Sequence, residues 1–293
     1  MSEIKVLKGK DGWLFLQNDS NKIIDQITNK ISYDKYHAFR FRINHQLRHG
    51  FLKEHKIKYF SFIIPNKEIV YAKYLPDGII VSEERMTRRL EKEMQEYNLD
   101  YFNYILTPLL ESEDKIFHTY RKGDTHWNQY GAFIFYKNLM NIINKQNNNL
   151  FVLSFDDIEF QKKNVKGDLI SKLSGEVLDE DIIGMVKKAS VELIYNNQVH
   201  NTGSLKIYEN KKHLNYPKVV VFRDSFTTWM EHFIAESFSQ TVFVHQANLD
   251  YKLIEKFSPD FVISIQIERF AIGVPCDVLG ALQSQNEAKK RNQ

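Results

Sequence analysis

Apolar residues in this chain recur at two spacings that alternate along its length. From residue 33 to about 54 they return every three to four positions, the period of an amphipathic helix. An unbroken apolar run at 57–64 follows and stops at Pro65, which predicts a buried strand. Residues 82–97 read as a charged helix and 99–104 as a second short strand. Residues 128–144 carry Phe133, Phe135, Leu139, Ile142 and Ile143 at helical positions. After Pro217 come a strand at 219–222, a helix at 226–238 with Phe233, Ile234 and Phe238 in step, a strand at 241–245, a short helix at 253–257 and a last strand at 261–267. Apolar strands alternating with helices predict an α/β fold, a mostly parallel sheet sandwiched by helices. Sites on such sheets form at the carboxyl ends of the strands, so the polar residues there are the ones to weigh.

Between about 151 and 216 the rhythm changes. This stretch is richer in polar and β-forming residues, with hairpin signals at Asn196-Asn197 and Thr202-Gly203. It predicts a polar, β-rich antiparallel insertion, or irregular structure laid over the main domain. The whole is expected to form a single domain over 1–282, with a disordered polar tail at 283–293 and a loop at 144–149.

Composition narrows the function classes. Basic residues number 40 and acidic ones 37, for a net charge of +3, so nothing points to nucleic acid. The basic stretch around Arg40, Arg42 and Arg48 reads as the solvated face of a helix. Aromatics reach 13%, which suits a sugar ligand as well as a core. One cysteine, Cys276, excludes an internal disulfide and a cysteine-rich zinc site, and it is expected to pack rather than react. No run of about 18 apolar residues predicts a membrane span, and residues 1–16 lack a signal-peptide core. The sequence as it stands is expected to be cytoplasmic; it would be periplasmic if an export signal had been removed ahead of it.

Candidate chemistry begins at the strand running from Lys218 to Phe222, which leads straight into Arg223-Asp224-Ser225-Phe226. A serine at a strand-to-helix turn projects from the carboxyl edge of the sheet, and backbone amides there suit a developing oxyanion. The competing reading is that Asp224 or Ser225 only caps the following helix. A serine nucleophile needs a base. Of 10 histidines, His37, His45 and His49 lie on a charged helix, and His200 and His213 in polar loops. His126 stands directly before an amphipathic helix, with Asp124 two residues upstream, close enough to fix the imidazole tautomer. Here too the alternative is capping, by Asp124 or Thr125. No cluster has metal-ligand spacing, so no metal is expected.

Asp124-Thr125-His126-Trp127-Asn128, with Gly131-Ala132 after it, resembles the DTHWN..GA signature of the alginate O-acetyltransferase family. Further landmarks follow the family's order: Gly9-Lys-Asp-Gly-Trp-Leu-Phe15; Ile64-Pro65-Asn66-Lys67 with Tyr71 and Leu75-Pro76; Gly167-Asp168-Leu169; Arg223-Asp224-Ser225-Phe226; and Ile267-Glu268-Arg269. They span nearly the whole chain. The resemblance implies an SGNH-hydrolase-like (flavodoxin-like) domain, with Ser225 as nucleophile, His126 as base and Asp124 as its orienter. It also implies transfer of an acetyl group to a polysaccharide or oligosaccharide hydroxyl. No bound cofactor is implied, only an acetyl donor: acetyl-CoA, or an acetyl group relayed from a membrane partner.

One departure stands out: Arg223 replaces the family's usual glycine, which suggests a relaxed turn or a cation placed beside the site for an acidic sugar or phosphate. Gln266 is a candidate oxyanion donor and Lys67 a candidate substrate contact. Trp127 is either core or a sugar platform. Glu268 and Arg269 are expected to pair with each other in support of the site. Water in place of the sugar would make the same triad an acetyl esterase, and an inactive carbohydrate-binding scaffold is the non-enzymatic alternative.

Overall fold

A computed structural model of the protein describes residues 5–17, 19–113, 115–146, 148–173, 178–275 and 277. Cys276, the tail at 283–293 and Asn147 of the loop at 144–149 lie outside the described residues. In chain order the strands are β1 (Lys5–Lys8), β2 (Leu14–Gln17), β3 (Lys58–Ile64), β4 (Phe102–Tyr104), β5 (Ile158–Val165), β6 (Asp179–Val186), β7 (Val191–Asn196), β8 (Leu205–Asn210), β9 (Lys218–Arg223), β10 (Gln240–His245) and β11 (Phe261–Ile267).

Seven of them form one sheet in the order β4-β3-β11-β9-β10-β8-β7. The first five run parallel, and β8 and β7 add antiparallel at one edge. The central strands are the unbroken apolar runs: Val219–Phe222 and Val262–Ile265 carry only Ser264 as a polar member, and all are buried because helices cover both faces. The helix Gln129–Lys145 packs by Phe133, Phe135, Leu139 and Ile143, all with no exposed surface. Parallel register brings Ile64 level with Ile267, Ile265 with Arg223, and Arg223 with His245. These residues therefore define one carboxyl edge.

Three expectations change. The polar stretch after 150 is not one unit. β5 and β6 form a separate antiparallel ribbon, whereas β7 and β8 extend the main sheet, their connection being the predicted turn region at 197–204. The helix expected over 226–238 divides into a 3-10 turn, Ser225–Trp229, and a short helix, Glu231–Glu236. The basic stretch on helix His37–Glu54 is not a solvated face: only Arg40 is, paired with Asp34. Arg42 and Arg48 are buried, at 2.8 Å from Glu93 and 2.6 Å from Asp277, because distant carboxylates neutralise them inside the fold.

The ribbon is fastened to the main domain through the segment that joins β5 to β6. Leu169 and Ile170 both donate their amides to the carbonyl of Gly123, each at 3.1 Å. A Cβ on Gly167 would lie 2.1 Å from that same carbonyl oxygen, so only glycine permits the approach. Gly167→Ala is expected to lower the unfolding free energy by about 1–3 kcal/mol, read from urea denaturation. A neutral effect would mean that the contact relaxes at no cost.

Candidate active site

The loop at 121–128 enters helix Gln129–Lys145, and the helix is capped by Asn128, whose side chain accepts the amide of Gly131 at 2.9 Å. Capping therefore does not occupy Asp124 or Thr125. At the other wall, Asp224 caps the 3-10 turn: its Oδ1 accepts the Phe226 amide at 2.9 Å and its Oδ2 the Ile267 amide at 2.6 Å. The carboxylate thus ties the end of β9 to the end of β11, with Ser225 held between. Burial pushes the Asp224 carboxyl upward, against the pull of those two amides.

These walls bring Ser225, His126 and Asp124 into one hydrogen-bonded line. His126 Nε2 is 3.0 Å from Ser225 Oγ, and its Nδ1 is 2.9 Å from Asp124 Oδ1. With Nδ1 donating to the carboxylate, Nε2 is left to accept the serine proton. Asp124 Oδ1 also accepts the His126 amide at 2.8 Å and sits 3.1 Å from the buried guanidinium of Arg121, while Oδ2 accepts the Asp168 amide at 2.9 Å. Burial alone would raise this carboxyl; the His126 hydrogen bond and the Arg121 charge outweigh it and hold the group well below the ordinary range.

Lys67 is not a substrate contact. Its side chain is buried, and its ammonium donates to the carbonyls of Arg121, Lys122 and Asp124 at 2.9, 2.9 and 2.7 Å. Three carbonyls converging on one cation fix the shape of the Asp-His loop, and burial draws the Lys67 pKa down to about 8. Trp127 is not a sugar platform either: it is fully buried, and its indole donates to the Phe226 carbonyl at 2.9 Å, clasping the serine turn. The half-buried aromatic beside the base is Trp229, 6.3 Å from the His126 ring, with the Arg121 guanidinium 4.5 Å from its face.

Gln266 is not brought to the serine. It pairs with Ile63 on β3, and by strand alternation it shares a face with Ser264, which meets Tyr59. Glu268 and Arg269 do not pair with each other: Glu268 binds Arg85 at 3.1 Å and the Tyr104 hydroxyl at 3.0 Å, whereas Arg269 lies 5.2 Å from the centre of the Phe226 ring, beneath the serine turn.

A family model described as "SGNH hydrolase-like domain, acetyltransferase AlgX" matches residues 6–178, more than half of the chain. The chain belongs to this acetyltransferase family. The match includes Asp124, His126 and Asp168 and stops short of Ser225, so the serine's place rests on the geometry above. No curated protein matches by sequence. Among solved structures, Bacillus cereus PatB1 is similar at 18% identity and TM-score 0.61, over 92% of this chain and 98% of its own. The O-acetyltransferase domain of Pseudomonas putida AlgJ is similar at 15% identity and TM-score 0.60, over 98% of this chain and 99% of its own. A DHHW family protein of Eubacterium siraeum is similar at 14% identity and TM-score 0.62, over 95% and 98%. At these identities the likeness is one of fold, and the fold is the SGNH-hydrolase-like α/β sandwich.

Arg223 stands where this family usually has glycine, and the turn does not need one: neither Arg223 nor Asp224 has a positive φ. Its guanidinium is buried rather than on the surface. It donates to Glu231 at 2.6 Å, to the Asp224 carbonyl at 3.2 Å and to His245 Nδ1 at 3.0 Å. Glu231 also receives Lys206 at 2.8 Å. Arg223, Lys206 and His245, with Asn196 at the end of β7 and Gln198, His200 and Asn201 of the β7–β8 connection, line a cavity of about 330 Å3 whose wall includes Ser225. His200, set aside in the sequence as a loop histidine, therefore shares this cavity with the nucleophile.

Residues that sequence reasoning missed are Arg121, Asp168, Glu231 and Trp229. Asp168 had a signal, since it is the central residue of the Gly-Asp-Leu landmark. Asp124, His126 and Asp168 offer ligand-type atoms within 4.8 Å of one another, but each of these atoms is already engaged by a protein donor or acceptor.

Lys67→Met is expected to leave the three carbonyls without their cation, lowering the unfolding free energy by about 2–4 kcal/mol and impairing turnover together with it. Denaturation and an aryl-acetate assay on the same preparation check this; unchanged stability would show that the carbonyls find other donors.

Proposed function

We propose that this acetyltransferase works through a Ser225 acyl-enzyme and delivers the acetyl group to a glycan hydroxyl. The observation that carries this reading is the continuous hydrogen-bonded line Asp124–His126–Ser225 at the mouth of a polar cavity. His126 Nε2 takes the Ser225 proton as Oγ attacks the carbonyl carbon of an acetyl ester or thioester. The leaving oxygen or sulfur departs with that proton, and Ser225 is left as an acetyl ester. In the second half-reaction, His126 removes a proton from a sugar hydroxyl, whose oxygen attacks the acetyl carbon; the proton returns to Ser225 and the sugar ester is released. Asp124 stabilises the imidazolium in both halves and remains ionised.

The Phe226 amide is committed to Asp224, so the Ser225 amide is the backbone donor assigned to the oxyanion. The amide-rich β7–β8 connection and the face of Trp229 suit the hydroxyl and ring surfaces of a sugar. A polysaccharide or oligosaccharide is thus the proposed acceptor, and acetyl-CoA or an acetylated membrane partner the proposed donor. Among the described residues no helix is long and apolar enough to cross a membrane.

Ser225→Ala is expected to abolish acetyl release from an aryl acetate, a loss of at least about a thousandfold, with an unchanged circular dichroism spectrum. A fluorophosphonate is expected to label Ser225 in the unaltered protein. Retained turnover in the variant, or absence of the label, rejects the acyl-enzyme.

A further inference from the structure

The imidazole nitrogen that faces Asp124 also faces a second carboxylate. Asp168 Oδ2 lies 3.7 Å from His126 Nδ1. Its Oδ1 accepts the Thr125 amide at 2.7 Å, and its Oδ2 accepts the Thr125 hydroxyl hydrogen. That hydroxyl is in turn 3.3 Å from Nδ1. A carboxylate only accepts, so the Thr125 proton points at Asp168 and a lone pair of Thr125 Oγ1 faces the Nδ1–H. The histidine proton is therefore held in place from two sides, by Asp124 directly and by Asp168 through Thr125.

The geometry points to Asp168 as a second positioning residue for the base, one that acts through Thr125 and through its own charge on the imidazolium formed in each half-reaction. This rests on the reading of His126 as the base. The charges around the ring are Asp124 and Asp168 on its Nδ1 side, Arg121 behind Asp124 with Asp181 3.7 Å further back, and Lys67 on the Asp124 carbonyl. Arg121 and Lys67 offset the buried Asp124, whereas Asp168 is the half-exposed carboxylate, its side chain 37% accessible. The segment carrying it comes from the β5–β6 ribbon, so the ribbon contributes directly to the base.

Asp168 also has a clamping role, since its backbone amide reaches Asp124 Oδ2 at 2.9 Å. Asp168→Asn separates the two roles. The backbone amide is untouched, and the new carbonyl oxygen still accepts the Thr125 amide. The negative charge is lost, however, and the amide NH2 now points a donor at Thr125 Oγ1, turning its hydrogen toward Nδ1.

The test measures kcat and KM for aryl-acetate hydrolysis by the full chain across the acid limb. Asp168→Asn is expected to keep the wild-type melting temperature, to lower kcat about tenfold with little change in KM, and to move the midpoint of the acid limb down by about half to one pH unit. The sign follows from the charge: a carboxylate beside the ring favours the imidazolium, so its removal lets the neutral base persist to lower pH. A pH profile and kcat that superimpose on the wild type overturn the inference. If Asp168→Asn does not fold, Thr125→Val carries the test, with a comparable fall in kcat at constant KM expected and an unchanged kcat overturning it. An unaltered protein with no turnover and no fluorophosphonate label would reject the acyl-enzyme reading itself; a labelled, active protein indifferent to both substitutions would reject only this role.

Discussion

Everything at this site depends on holding a short loop, Arg121 to His126, in one shape above the sheet edge. The loop's own ends meet only where the Arg121 amide reaches the His126 carbonyl at 3.4 Å, so the carbonyls and amides between them must be satisfied from outside. Lys67 takes three carbonyls, Gly123 is bracketed by the amides of Leu169 and Ile170 on its oxygen and by Asp179 on its nitrogen, and Asp168 takes the Thr125 amide. The buried cation is the costliest of these, since taking an ammonium out of water is repaid only by well-placed partners. A displacement of an ångström here would separate the imidazole from the serine, which is why charge is concentrated beneath residues that do no chemistry themselves.

The serine wall is built by a different device. Asp224 joins the ends of two neighbouring parallel strands, and Trp127 reaches across from the base loop to the carbonyl of Phe226. The two walls are thereby linked by a hydrogen bond that involves neither reacting side chain. The Arg223–Glu231–Lys206 cluster then braces the serine turn from the side of β8.

The five parallel strands were legible because buried strands are unbroken apolar runs, and the Asp-x-His and Asp-Ser pairs because each stands at the junction of a strand or loop with a helix. The helix after Ser225 was legible only in part: Trp127 withdraws the Phe226 carbonyl, and the Met230 amide turns to Thr227 at 2.9 Å instead, which tightens the first turn. Arg42 and Arg48 read as solvated, and Lys67 as a substrate contact, because a basic residue announces nothing about partners more than fifty positions away. Gln266 was misplaced, and Trp127 left open between core and platform, for a related reason: which face a residue takes depends on the register of neighbouring strands and the helix it enters, not on its own type. The β-rich middle concealed two different pieces, since hairpin signals mark turns but not the sheet to which a hairpin will attach.

The position of β11 bears on how the protein comes into being. It is the last strand among the described residues, yet it occupies the middle of the sheet, between β3 and β9, and its final amide is the one that donates to Asp224. During synthesis the base loop and the serine turn are both made before the strand that sets the distance between β3 and β9. Until β11 inserts, two apolar strand edges lie open and Ser225 has no fixed relation to its histidine. Long-range pairing of this kind is slow, because chain closure precedes the contacts that reward it. Acetyl transfer is then switched on by the closing of the sheet itself, and a chain halted before β11 is inert while its most aggregation-prone edges are exposed.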